Sequence, residues 1–107
     1  MKCEFVSKYI LPAIRSYVAK RLLEKGFTQT DISRKLRITQ PAVSQYVAKK
    51  RGKLVQKIME IAKKELEEFS IRLTFSDLSE QEFQKNVCML CEKIRKKLGK
   101  YAESRVR

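Results

Sequence analysis

The sequence has no histidine, and only three of its 107 residues are glycine. Histidine is the most frequent general base in enzymes, and an attacking serine or cysteine needs such a base beside it. Neither a nucleophile–base pair nor a glycine-rich phosphate-binding loop is recognisable. Because the usual catalytic constellations are missing, the sequence predicts a protein that is not an enzyme.

Long apolar runs are also lacking. No segment stays apolar over the roughly 20 residues that a membrane-spanning helix needs. The N-terminal stretch does not resemble a signal peptide, because Glu4 and Lys8 interrupt its apolar residues. We therefore expect a cytoplasmic protein with no membrane partner.

Negative charge is scarce, and it is scarcest in the first half of the chain. Lysine and arginine number 25 against 12 acidic residues, which gives a net charge of +13. Residues 1–53 hold 13 basic and three acidic residues, whereas residues 54–107 hold 12 and nine. Such a concentration of positive charge favours binding to nucleic-acid phosphates. RNA-binding modules usually also expose aromatic side chains for base stacking, and the sequence shows no such platform.

Residues 29–46, QTDISRKLRITQPAVSQY, have the pattern of a helix-turn-helix. The spacing of Ile32 and Leu36 places both on one face of a first helix, and Val43 and Tyr46 share one face of a second. In this motif the second helix enters the major groove of DNA. The pattern therefore predicts double-stranded DNA as the partner.

Four further residues suit the crossing and the turn of the two predicted helices. Small Ser33 fits where the helices approach most closely, and Ile38 fills the corner between them. The hydroxyl of Thr39 can cap the second helix. Pro41 then falls in the first turn, where its missing N–H costs no hydrogen bond.

The outer face of the second helix, predicted over about residues 40–49, carries residue types that read base edges. Amides can pair with adenine, and hydroxyls can bond to several bases. We predict base contacts from Gln40, Ser44 and Gln45 and phosphate contacts from Gln29, Lys49, Lys50 and Arg51. Gly52 is expected to end this helix.

These residues resemble the helix-turn-helix of the Cro/phage-repressor family of transcription regulators. The resemblance is carried by Gln29, Ile32, Ser33, Leu36, Ile38, Gln40, Val43 and Tyr46. The family usually has glycine at the position of Arg37, because the backbone of the turn is left-handed there. A residue other than glycine costs about 1 kcal/mol in that conformation.

Apolar residues at helical spacing predict further helices, in an all-α fold of about five helices with no sheet. One spans residues 7 or 12 to 25, and another spans residues 54–72. The last begins at a Ser79–Glu82 capping box and ends at Gly99, with a frayed tail after it. Three charge pairs at helical spacing are expected in the middle region: Glu60–Lys64, Lys63–Glu67 and Glu68–Arg72.

The chain divides into a DNA-binding region, residues 1–53, and a C-terminal helical region, residues 54–107. Helix-turn-helix proteins usually bind as dimers whose half-sites lie one turn of DNA apart. We therefore expect the C-terminal helices to form a homodimer. The alternative is that they complete the core of a single compact domain.

Three cysteines, Cys3, Cys88 and Cys91, leave three interpretations open. On a helical wheel Cys91 falls within the apolar stripe of the last helix and Cys88 at its edge. The first interpretation is therefore structural, with Cys91 as a small buried apolar residue and Cys88 at the boundary of the core. Alternatively, the thiols bind zinc or an iron–sulfur cluster, or sense redox state. A fourth ligand would then come from a carboxylate, water, a substrate or the other subunit. The third interpretation is a disulfide from Cys3 to Cys88 or Cys91, although cytosolic disulfides are rare.

A longer set of residues resembles a group of archaeal predicted transcription regulators. The matching stretches are 3–4, 8–15, 40–46, 50–52 and 88–95, and they are spread over nearly the whole length of the chain. The resemblance implies a cytoplasmic regulator that binds DNA. We expect that DNA binding requires no cofactor, with zinc or an iron–sulfur cluster as the alternative. Two alternatives are a regulator controlled by its cysteines and a protein-interaction module, such as an antitoxin or adaptor.

Overall fold

The computed structural model describes the backbone of residues 4–106 and the side chains of residues 4–101. In this part of the chain all regular structure is helical, which confirms the predicted all-α class. Its six α-helices are α1 Leu11–Glu24, α2 Gln29–Leu36, α3 Gln40–Ala48, α4 Lys53–Ile61, α5 Lys63–Phe75 and α6 Glu80–Val106. A π-helical turn at Val6–Ile10 leads directly into α1.

α1 is the central helix, and α2 to α5 pack around it. Its residues Ile14, Val18 and Leu22 are buried at four-residue spacing, and Ile10 of the π-helical turn continues the stripe. Pro12 lies in the first turn of α1, and the π-helical turn directly before it departs from regular α-helical geometry. The predicted stripe therefore forms the middle of the hydrophobic core.

The single helix predicted over residues 54–72 is wrong, because two helices occupy this stretch. α4 ends at Ile61 and α5 begins at Lys63, with Ala62 between them at φ −101° and ψ 19°. Ala62 is fully buried, as are Ile58 before it and Leu66 after it. The apolar pattern runs through the bend without glycine or proline, so no local signal marks the break.

Charged residues of this middle region bond to other helices as well as along their own, as Lys57 and Glu60 do within α4. Glu67 of α5 accepts two hydrogen bonds from the guanidinium of Arg21 on α1, at 2.8 and 2.9 Å. Arg72 donates to the side chain of Asn86 on α6. The pairs expected at helical spacing, Glu60–Lys64, Lys63–Glu67 and Glu68–Arg72, are not among the ion pairs of the described residues.

α6 begins with the predicted capping box, in which Ser79 and Glu82 exchange hydrogen bonds between side chain and backbone. The predicted end at Gly99 is wrong, because the helix continues to Val106, whereas fraying of the tail stays a prediction. Tyr101 lies in this extension, 5.4 Å from its ring centroid to the ammonium of Lys57 on α4. That contact ties the end of α6 to α4.

The C-terminal helices share one hydrophobic core with the N-terminal region. Leu90 and Ile94 of α6 are buried in the same cluster as Ile10 and Ile14. Leu66, Phe69 and Leu73 supply the buried face of α5. This shared core holds the helix-turn-helix in a fixed place relative to α5 and α6.

Candidate nucleic-acid interface

Two capped helices, α2 and α3, form the helix-turn-helix predicted over residues 29–46. Thr28 and Asp31 make a reciprocal capping box at the start of α2. Thr39 caps α3, as predicted, by accepting a hydrogen bond from the backbone N–H of Ala42. Helices of eight and nine residues are too short to be stable alone, so these caps and tertiary packing hold them.

The predicted core of the motif is confirmed. Ile32, Leu36 and Val43 are buried, and Ile38 and Tyr46 are partly buried against the same cluster. Val43 faces inward from α3, which fixes the rotation of that helix about its own axis. The opposite face of α3 must therefore point to solvent.

The turn between the helices has a left-handed residue at the predicted position. Arg37 has φ 57° and ψ 44°, and it is the single residue other than glycine with positive φ in the described chain. Its guanidinium donates a hydrogen bond to the carbonyl of Leu78, at 3.2 Å. This contact offsets part of the conformational cost that glycine would avoid.

The three predicted base-contact residues lie together on the exposed face of α3. Gln40, Ser44 and Gln45 are all exposed, and α3 itself contains no charged residue. Its last residue is Ala48, so the expected end at Gly52 is wrong. Gly52 instead immediately precedes α4 as its N-cap residue, with extended backbone.

Ser44 is hydrogen-bonded to Gln29, the predicted phosphate-contact residue at the start of α2. The hydroxyl of Ser44 donates to the side-chain oxygen of Gln29 over 2.8 Å. With its oxygen engaged, Gln29 keeps its amide NH₂ group as a donor. The bond thus joins the outer faces of the two helices.

The three predicted phosphate-contact cations after α3 differ in their surroundings. Lys49 and Lys50 are exposed, whereas Arg51 is partly buried. The guanidinium carbon of Arg51 lies 4.7 Å from the ring centroid of Tyr46, which indicates a cation–π contact. Arg15 of α1 donates to the hydroxyl of the same tyrosine, at 3.5 Å. Two guanidinium groups thus converge on Tyr46, near the end of α3.

Three cations of the helix-turn-helix bind the segment between α5 and α6, a role that the sequence pattern did not reveal. Arg34 and Lys35 both pair with Asp77, and Arg37 reaches Leu78. The buried ammonium of Lys35 also donates to the carbonyl of Leu73, at 2.7 Å. The hydrogen bond that Lys35 donates to Asp77 holds the pKa of that carboxyl below its usual range. These contacts attach α2 to the C-terminal region.

Of the cysteines, Cys88 and Cys91 lie on α6, and Cys3 lies outside the described residues. Cys88 is exposed, and its sulfur accepts a hydrogen bond from the amide of Gln84, at 3.6 Å. Cys91 is partly buried against the core. Among the described side chains, no three cysteine, aspartate or glutamate residues cluster as metal ligands. Metal, redox and disulfide roles therefore stay predictions.

Comparison with known proteins finds a match that covers the helices around this interface. No curated protein and no solved structure matches the chain. Among the described helices, none offers an apolar stretch sufficient to cross a bilayer. The family model described as helix-turn-helix matches residues 18–69, from the middle of α1 into α5. Residues 18–69 are therefore similar to the Cro/C1-type helix-turn-helix, a DNA-binding domain of transcription regulators, and α2 and α3 have the geometry of that motif.

Proposed function

We propose that the protein is a sequence-specific regulator of transcription that inserts α3 into the major groove of double-stranded DNA. The observation that carries this proposal is that Gln40, Ser44 and Gln45 are exposed and uncharged on α3, whereas Val43 of the same helix is buried. Side-chain amides and hydroxyls discriminate between base edges. Contacts to phosphates, by contrast, carry no direct sequence information.

Cations beside α3 supply the affinity that this uncharged face lacks. Lys49 and Lys50 directly follow the helix and are exposed, and Arg51 is held close to its end by Tyr46. The amide of Gln29 adds a neutral donor at the start of α2. These four residues fix the register of α3 in the groove through phosphate contacts.

A homodimer is the second part of this proposal, because one helix-turn-helix reads only a single half-site. Two large apolar residues four apart on α5 remain uncovered, since Ile71 is 44% exposed and Phe75 is 82% exposed. Their burial against a second copy of the chain would remove apolar surface from water. The C-terminal helices thus complete the protein's own core and also offer a face for association.

Selection of bound duplexes from a random library of double-stranded DNA tests whether α3 discriminates between base sequences. We expect enrichment of a two-fold symmetric site whose half-sites are centred about 10 base pairs apart. Binding without enrichment of any sequence would contradict base reading. Little salt-dependent DNA binding would instead favour a protein-interaction module.

Sedimentation analysis of two matched variants tests the dimer. Phe75→Ser should shift the protein from dimer to monomer at micromolar concentration. Leu54→Ser removes an exposed apolar side chain of α4, which is 39% exposed, and should leave the dimer intact. A monomeric wild-type protein, both free and on a two-half-site duplex, would overturn the homodimer.

A further inference from the structure

A cavity of about 210 Å³ lies where the N-terminal helical segment, α2 and α6 meet. Its walls are mostly apolar, and they come from all three parts of the chain: Val6, Leu11, Ile14, Leu36, Phe83 and Val87. Gln84 and Cys88 line it from α6 and are exposed, so the cavity opens to solvent on that side. Arg15 is the single charged residue among its lining residues.

The charge of the lining residues selects the chemistry of a ligand. An apolar chamber with one guanidinium and no carboxylate matches an anion that carries a hydrocarbon body. The volume is below the range of about 300–1,000 Å³ that holds drug-sized ligands, so the ligand is small. We infer that this cavity is an effector site for a short aliphatic carboxylate, with Arg15 as the residue that binds the carboxylate group.

A larger groove between α5 and α6, of about 330 Å³, lacks this selectivity. It is lined by charged residues of both signs: Glu65, Glu68, Glu82, Arg72, Lys85 and Lys93. Such a lining offers no preference for an anion over a cation.

Arg15 also connects the cavity to the recognition helix. Its hydrogen bond to the Tyr46 hydroxyl is long, at 3.5 Å, so a bidentate carboxylate is a stronger partner for the guanidinium. Binding of the carboxylate would draw Arg15 from Tyr46 and neutralise one of the two guanidinium groups that contact this tyrosine. Because coupling is reciprocal, the carboxylate and DNA should each weaken binding of the other. This coupling rests on the proposed DNA binding, whereas the ligand site does not.

Isothermal titration calorimetry with three probes of equal chain length tests the site without DNA. Hexanoate should bind at least tenfold more tightly than hexanol, and hexylamine should bind more weakly than both. Saturating hexanoate should also slow the alkylation of Cys88 by iodoacetamide at least threefold, measured by peptide mass spectrometry. Equal binding of the three probes, or an unchanged Cys88 alkylation rate, would overturn the site.

Two arginine variants locate the charge that selects the carboxylate. Arg15→Gln should reduce hexanoate affinity to that of hexanol, with circular dichroism confirming that the variant is folded. Arg72→Gln changes an arginine of the other groove and should keep the wild-type preference. An unchanged preference in folded Arg15→Gln would overturn the assignment of Arg15.

A final titration with duplex DNA separates the ligand site from the coupling. Hexanoate should weaken wild-type binding to a random duplex several-fold, with no effect on Arg15→Gln. Bound hexanoate that leaves DNA affinity unchanged would overturn the coupling. Failure of the protein to bind DNA at all would overturn the proposed function, while the calorimetry would still decide the ligand site.

Discussion

The hydroxyl of Ser44 on α3 donates a hydrogen bond to the side-chain oxygen of Gln29, the first residue of α2, over 2.8 Å. The two residues lie 15 positions apart and were predicted to contact different parts of DNA, a base and a phosphate. Their bond orients both side chains before DNA arrives, and it leaves the Gln29 NH₂ group free to donate. In the proposed complex with DNA, the bond would therefore link the placement of α3 in the groove to the predicted phosphate contact of α2.

A double-mutant cycle tests this link between the helices. Ser44→Ala and Gln29→Ala should each weaken binding to the selected duplex, and the double variant should lose less than the sum. We expect a coupling free energy of about 0.5–1.5 kcal/mol, the usual range for a hydrogen bond, in fluorescence anisotropy titrations. The control pair, Gln40→Ala with Gln29→Ala, should be additive. Additive losses for Ser44 and Gln29 would show that the bond does not persist on DNA.

Salt dependence identifies which cations touch phosphates. Lys50→Ala should weaken binding to every duplex and reduce the slope of log affinity against log salt by about 1, because one phosphate contact is lost. Lys85→Ala removes an exposed lysine from α6 and should leave the slope unchanged. Lys50 would not be a phosphate contact if its removal left the slope at the wild-type value.

The hydrogen bonds that Glu67 of α5 accepts from α1 make the free energy of unfolding depend on pH. Glu67 accepts hydrogen bonds from Arg21 and from Tyr17, and these bonds lower its pKa from 4.5 to about 2. The bond from Arg21 has the larger effect. Since the folded pKa is depressed, this contribution is complete above pH 4.5 and disappears as the pH falls from there towards 2.

Urea unfolding at pH 7 and pH 3 measures this acid dependence. Glu67→Gln should lower the free energy of unfolding more at pH 7 than at pH 3. Glu92→Gln changes an exposed glutamate of α6 and should behave like the wild type at both values. An equal effect of Glu67→Gln at the two pH values would rule out the depressed pKa as its cause.

The left-handed turn residue allows a test in which side-chain contacts cancel. Both Arg37→Gly and Arg37→Ala lose the bond to Leu78, but only glycine adopts φ 57° without strain. The glycine variant should therefore be about 1 kcal/mol more stable than the alanine variant in urea unfolding. Equal stabilities would mean that the turn has relaxed out of the left-handed conformation.

Local chemistry explains why the helix-turn-helix could be predicted from sequence. Thr39 and the Ser79–Glu82 box mark helix starts through hydrogen bonds within three residues. The left-handed residue at Arg37 was expected from the resemblance to the Cro/phage-repressor family, which usually has glycine at this position. The two capping signals each act within one turn of the chain, so they need no knowledge of the tertiary structure.

The features that the sequence did not reveal depend on distant partners. Ala62 bends the chain between α4 and α5 although the apolar pattern continues across it. Lys35 is buried against Leu73, 38 residues away, so part of the positive charge counted as DNA-binding instead holds the fold together. The cavity beside Arg15 likewise needs three separate segments to form.

Gln45→Ala, measured on the selected duplex and on random DNA at the same salt concentration, tests the central claim most directly. If α3 reads bases, the variant should lose about 1–3 kcal/mol of affinity for the selected site and almost none for random DNA. Its salt slope should match that of the wild type, because no phosphate contact is removed. Equal losses on the two duplexes would contradict base reading by the exposed face of α3.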